Sequence, residues 1–236
     1  MRWLSRFIED VRVVEPAADG ILEARRLPDG RTTLAVRVFD GGGDVSVSGP
    51  RTRAVFKRTT GMTSVVIVSL KPGWAVPLFG VAASALTDRY VKVEDLWGGT
   101  GAALRDEVLA AASPGEMLDR LSHAIDLRSR GTREPASGRL ARRAVRLLEG
   151  DEVRVDRVAK QLGVSSRHLR RAFTESIGIG PKDFARAVRL PRAVQRATMT
   201  HDWGRIAADV GYYDQAHLIS EFRELVGLTP GAFVKR

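Results

Sequence analysis

One pattern occurs twice in this chain, at an offset of 49 residues, and it constrains the fold more than any other feature. Leu169, Phe173, Ile177, Gly178, Ile179, Pro181 and Phe184 recur as Leu218, Phe222, Val226, Gly227, Leu228, Pro230 and Phe233. The shared form is L-x-x-x-F-x-x-x-[IV]-G-[IL]-x-P-x-x-F. The i, i+4, i+8 spacing of the large apolar residues places them on one face of a helix. The glycine suits a left-handed residue just past a helix end, and the proline suits the first turn of the next helix. A unit that repeats both its inward residues and its punctuation is a duplicated supersecondary element.

A shorter helix precedes each copy. Val155, Val158, Ala159 and Leu162 recur at helical spacing, Gly163 ends that helix, and Ser165 is placed to cap the next. In the second copy residues 203–210 supply the short helix, Gly211 the turn, and Asp202 and Asp214 the caps. Arg167, Arg170 and Arg171 lie at i, i+3, i+4 on a face away from Leu169 and Phe173. A short helix, a glycine turn and a helix with a basic outer face is the helix-turn-helix pattern. The same charges could lie on the solvated face of an ordinary helix pair, a reading the duplication disfavours. Residues 181–198 should form one long helix between the units. Pro191 falls in its middle, where it removes an N–H and clashes with the preceding turn, so a kink or short break is expected near Arg189 and Leu190.

Charge divides the chain. The formal net charge is +10, and all of the excess lies in residues 128–236, the half that holds the duplication; residues 1–127 balance to zero. A positive domain finds a polyphosphate by long-range attraction and gains from counterion release. There is no Cys, which excludes a disulfide framework and thiolate metal sites. No apolar run is long enough for a membrane span, and the N-terminus lacks the apolar stretch of a secretory signal, so a cytoplasmic protein is expected, without a membrane partner. No cofactor is expected.

The first half reads as β-rich, with helices trailing. Residues 34–38 and 45–48 alternate, with turn chemistry at 40–44 between them, and residues 54–57 form another strand. Residues 65–70 are a near-continuous apolar run of strand length, expected to be central. Short strands joined by Gly-rich turns point to an antiparallel sheet or small barrel. Helical spacing appears over 81–86, 93–97, 104–112 and 116–126. Residues 128–139 hold Gly, Pro, Ser and charge without a large apolar residue, the composition of a linker. The reading is therefore an α+β chain: a β-rich N-terminal domain over 1–127, a linker over 128–139, and an all-α domain over 140–236 of two helix-turn-helix subdomains, about 155–177 and 203–226, joined by a long helix.

These residues resemble the AraC/XylS-type transcription regulators. The resemblance covers residues 140–235 and rests on LGVSSRHLRRAF with its following G-x-x-P, and on IAADVGYYDQAHLISEFRELVGLTP, in that order. LPDG at 27–30, Pro72-Gly73, Leu86-Thr87-Asp88-Arg89 and Val93-Glu94-Asp95-Leu96-Trp97-Gly98 are similar to the N-terminal domain of one branch of such regulators. The resemblance implies a sequence-specific double-stranded DNA-binding regulator that inserts two reading helices into adjacent major grooves, with an N-terminal sensing or dimerisation domain. It implies base-facing positions at Ser166, Arg167, Arg170 and Arg171 in the first helix, and at Gln215, Ala216, Ile219 and Ser220 in the second. Arg can bond guanine O6 and N7 bidentately, and Gln can pair with adenine. RNA polymerase, a small-molecule effector and a second copy of the chain are the other partners it implies. Ser220 stands where relatives often carry Arg.

Two other readings stay open at this stage: an architectural DNA binder that senses nothing, and an enzyme fused to a DNA-binding domain. Against the enzyme, there is no Cys nucleophile, and only His123 of the four His lies outside the basic half. No catalytic and no metal residues are assigned. His168 and His217 are expected at the surface or against phosphate. Trp74, Phe79, Tyr90 and Trp97 are expected in the core rather than around a pocket. Arg186 and Lys182 are expected to meet phosphate.

Overall fold

The computed structural model describes residues 6–130, 132–150 and 154–234. Six strands come first: β1 Ile8–Val14, β2 Leu22–Arg26, β3 Thr33–Phe39, β4 Gly42–Ser48, β5 Val55–Thr59 and β6 Met62–Leu70. Helices α1 Ala75–Phe79 and α2 Ala83–Leu86 follow, then β7 Tyr90–Lys92, and then α3 Val93–Trp97, α4 Gly99–Leu109 and α5 Pro114–Ser129. Five strands make one antiparallel sheet in the order β1-β6-β3-β4-β7, and β2 pairs with β5 as a separate ribbon. The expected strands are present, and no barrel closes among the described residues. β6 lies between β1 and β3 and is covered on both faces, with Val66, Val68 and Leu70 in the helix-side core and Met62, Val65 and Ile67 in a second cluster with Leu22, which explains its apolar run. Only Asp40 and Gly41 turn the β3–β4 hairpin; Gly42 and Gly43 already pair with Phe39 and Val38.

One face of the sheet packs on α1, α3, α4 and α5 through Leu34, Val36, Val66, Val68, Leu78, Leu104, Leu121 and Ile125. Trp74, Phe79 and Trp97 are buried there as expected, with Phe79 stacked on Trp97 and the Trp97 indole N–H donating to the Leu78 carbonyl at 3.1 Å. Tyr90 departs from the expectation. It is 53% exposed, with the Arg51 guanidinium 4.3 Å from its ring centre. On the edge strand β7 its ring has no facing layer to enter, and the cation covers one side of it.

The all-α part begins with α6 Ala136–Leu148 and continues with α7 Val155–Gln161, α8 Ser166–Ile177, α9 Pro181–Ala197, α10 Trp203–Val210, α11 Gln215–Val226 and α12 Pro230–Val234. The linker composition over 128–139 misleads at both ends. Arg128 and Ser129 complete α5, and Ala136–Arg139 open α6. Helix continuation there needs no large side chain: Gly138 is buried against the Gly73 backbone, where an added Cβ would lie 3.2 Å from the Gly73 carbonyl oxygen, a tight contact.

The two units superimpose in their details. Ser165 Oγ accepts from His168 N at 3.1 Å and Asp214 Oδ1 from His217 N at 2.7 Å. Gly178 and Gly227 end α8 and α11 at φ 96° and 78°. Phe173 meets Phe184 at 5.3 Å and 67°; Phe222 meets Phe233 at 5.5 Å and 64°. The turns differ by one residue, since Gly163 is followed by Val164 before the Ser165 cap, and Gly211 by Tyr212 and Tyr213 before Asp214.

Pro191 does not break α9, which is helical from Pro181 to Ala197. Contacts on either side hold it. Leu190 and Ala193 are fully buried, Arg189 donates to the Gly211 carbonyl, and Arg192 donates to the Glu149 and Gly150 carbonyls. Pro191 itself is exposed, so its ring stands on the solvent side of the helix. The summed tertiary contacts outweigh the roughly 3 kcal/mol cost of an interior proline.

Candidate nucleic-acid interface

Helices α8 and α11 each begin in the open and end in the protein. Arg167, Arg170 and Arg171 are exposed on α8, and among the described residues no carboxylate pairs with them. On α11, Gln215, Ala216 and Ser220 are exposed. The opposite faces build the cores: Leu169, Phe173 and Ile177 pack with Val158, Ala159 and α6, and Leu218 packs with Ile206, Ala207 and Ala193.

Two of the eight expected positions differ from the rest. Ser166 is half-buried, and its hydroxyl donates to Asp156 Oδ1 at 2.8 Å, tying the start of α8 back to α7. Ile219 is half-buried against the second core. Branched apolar Ile gains by leaving water, whereas Arg170, its counterpart in the first unit, stays exposed. Tyr213 was not anticipated. It is 92% exposed in the longer turn just before Gln215, and its N–H donates to His217 Nδ1 at 3.4 Å. The extra turn residue is the one signal in the sequence that marks it. His168 and His217 are exposed, and no group of metal-ligating residues forms among the described residues.

Arg186 overturns its expectation. Its side chain is mostly buried, with Nε donating to Glu221 at 3.0 Å and Nη2 to Glu224 at 2.5 Å. It is held inside the protein by carboxylates and does not present itself to a phosphate. Lys182 is exposed, as expected. The Arg186 hydrogen bond, with its charge, holds the Glu224 carboxyl below its ordinary range. A depressed carboxyl adds stability that is complete above the unfolded value and is lost as pH falls through the folded one. The gap in thermal midpoint between the parent chain and Glu224→Gln should therefore narrow as pH is lowered from 7 to 3 in parallel melts.

The ends of α8 and α11 meet the N-terminal half. Thr87 Oγ1 donates to the Gly178 carbonyl at 2.7 Å, and Ala54 N donates to the Leu225 carbonyl at 2.8 Å. Leu27, Ala54 and Phe56 of the β2–β5 region pack against Leu190, Phe222, Leu225 and Val226. Gly30 lies so close to Phe184 and Ile177 that a Cβ would overlap the Phe184 ring. The segments 27–30 and 86–89 thus stand at the joint between the halves. Asp29 takes two bonds from Arg26, and Asp88 accepts from Thr52 N at 2.9 Å.

Residues 158–236 match the family described as "Helix-turn-helix domain", and residues 2–92 match "Domain of unknown function (DUF6597)". No curated protein matches the chain. Among solved structures it is similar to the C-terminal domain of AraT, a response regulator from Geobacillus stearothermophilus, at 23% identity over 43% of this chain and 88% of that one, with TM-score 0.40. It is similar to an AraC-type DNA-binding domain-containing regulator from Chromobacterium violaceum at 28% identity, over 42% and 92% of the two chains, with TM-score 0.39. ToxT from Vibrio cholerae O395 is similar at 10% identity, over 96% of each chain, with TM-score 0.47. The repeated unit, its basic outer face and the family match agree: this chain carries a helix-turn-helix domain over residues 158–236.

Proposed function

We propose that the chain reads a specific double-stranded site by placing α8 and α11 in neighbouring major grooves on one face of the duplex, and that residues 1–127 control this reading. One observation carries it: both helices expose their N-terminal residues and bury their C-terminal ends against the N-terminal half. Helix-turn-helix proteins contact base edges with the first residues of the reading helix. The N-terminal half therefore docks on the side away from the duplex, and it touches both units at once. A ligand or partner that moved it would act on both reading helices. Arg167, Arg170 and Arg171 supply bidentate donors for guanine, Gln215 reads adenine, and Tyr213 and Lys182 meet phosphate. The proposed division is a control unit over 1–127 and a reading unit over 140–236.

The test starts from recovery of bound genomic fragments, followed by titration against ionic strength. Arg167→Ala and Arg171→Ala are each expected to cost about 1–3 kcal/mol on the preferred site and to relax preference at single base pairs. Lys182→Ala should weaken all sequences alike and lower the salt slope by about 1. Equal affinity for unrelated sequences at fixed salt would overturn the proposal in favour of an architectural binder.

A further inference from the structure

The two units are joined to α9 by different means. In the first, Phe173 of α8 packs on Phe184, which is itself part of α9. In the second, the equivalent ring pair joins α11 to α12, neither ring belongs to α9, and Phe222 meets α9 through Leu190. The apolar contact between α9 and the second unit is made by Leu190 and Val194 beside Phe222, and by Ala193 and Ala197 with Ile206, Ala207 and Leu218.

What is added is charge. Position 172 of the first unit is Ala; its counterpart in the second is Glu221, which is 5% exposed. Glu221 accepts from Arg186 Nε at 3.0 Å and from Arg189 Nη2 at 3.3 Å, both on α9. Arg189 Nη1 donates to the Gly211 carbonyl at 3.2 Å, its guanidinium lies 4.7 Å from the Tyr212 ring centre, and Arg186 also bonds Glu224. Two arginines of the linking helix thus hold the end of α10, the turn, and α11 twice. A buried carboxylate of this kind adds direction more surely than it adds stability, since charged hydrogen bonds fix geometry while desolvation opposes them.

We infer that Glu221 is the positioning residue of the second reading helix: through Arg186 and Arg189 it sets the rotation of α11 on α9, and so where Gln215 and Ser220 fall relative to Arg167 and Arg171. The inference rests on the two-groove reading proposed above.

The test uses the full chain and two duplexes: the recovered site, and the same site with the half contacted by α11 scrambled. The parent chain should protect both grooves of the intact site and lose affinity on scrambling. Glu221→Gln should protect only the first groove, and should bind the intact duplex as weakly as the parent binds the scrambled one, a loss of tenfold or more. On the scrambled duplex Glu221→Gln and parent should be equal. Arg189→Met removes the Arg189 bonds to Glu221 and to the Gly211 carbonyl from the other side and should behave alike, and carries the test if Glu221→Gln does not fold. Equal losses on both duplexes, the mark of general destabilisation, would overturn the inference. So would two-groove protection by both variants. A parent chain that protects only one groove, or no discrete site, would instead remove the reading on which the inference rests.

Discussion

Gly178→Ala is expected to destabilise the chain by about 2–5 kcal/mol, while Gly227→Ala, the same change in the second unit, costs about 1–2 kcal/mol. Both glycines close a reading helix in the left-handed region, so both alanines suffer the backbone penalty, roughly 1–2 kcal/mol. Their surroundings differ. A Cβ on Gly227 would meet nothing within 4 Å, whereas one on Gly178 would lie 2.6 Å from Pro50 Cγ, 2.8 Å from the Ala83 carbonyl oxygen and 2.9 Å from Thr87 Oγ1. Overpacking of that kind costs about 1–3 kcal/mol more. Urea unfolding of the two variants reads the difference, which measures the contact between the N-terminal half and the first unit with helix-end strain cancelled. Equal midpoint shifts would mean that the joint yields freely.

Phe184→Ala is expected to cost about 3–5 kcal/mol, the range for a buried aromatic truncated to a methyl group. The ring is buried, packs edge-on against Phe173 and lies over Gly30, so one deletion opens both the first unit and the joint. A double-mutant cycle separates these two effects. Gly30→Ala alone forces a Cβ into the ring and should cost about 1–3 kcal/mol; in the Phe184→Ala background most of that cost should vanish, because the obstructing atoms are gone. A Gly30→Ala cost that persisted unchanged would show that the neighbouring Ile177, 3.1 Å from the added Cβ, is the obstruction instead.

Local chemistry made much of this structure readable. Ser165, Asp202 and Asp214 cap the helices expected of them, because a cap needs only a side-chain oxygen three residues before a free N–H. Gly163, Gly178, Gly211 and Gly227 take positive φ where helices end. Strands β3 and β4 showed in their alternation. β1 and β2 did not: β1 alternates charge with valine at a sheet edge, and β2 pairs only with β5 in a small ribbon whose apolar contacts are split, Leu22 packing on Met62 and Val65 and Phe56 on the second unit. Single sequence windows carry no trace of such partners.

The reading surface divides in the same way. That Arg167, Arg170 and Arg171 avoid the core follows from helix periodicity alone, since Leu169 and Phe173 occupy the other face. That Arg186 does not join them could not be read from α9, because its fate depends on Glu221 and Glu224, 35 and 38 residues away. The continuity of α9 through Pro191 depends likewise on Gly211 and Glu149. By itself the amino-acid order determined two capped, basic, duplicated helix pairs, since caps, periodicity and turns are interactions within a few residues. Tertiary structure alone decided how the pairs are held and which arginines remain free, because buried charge goes wherever the chain brings its partner.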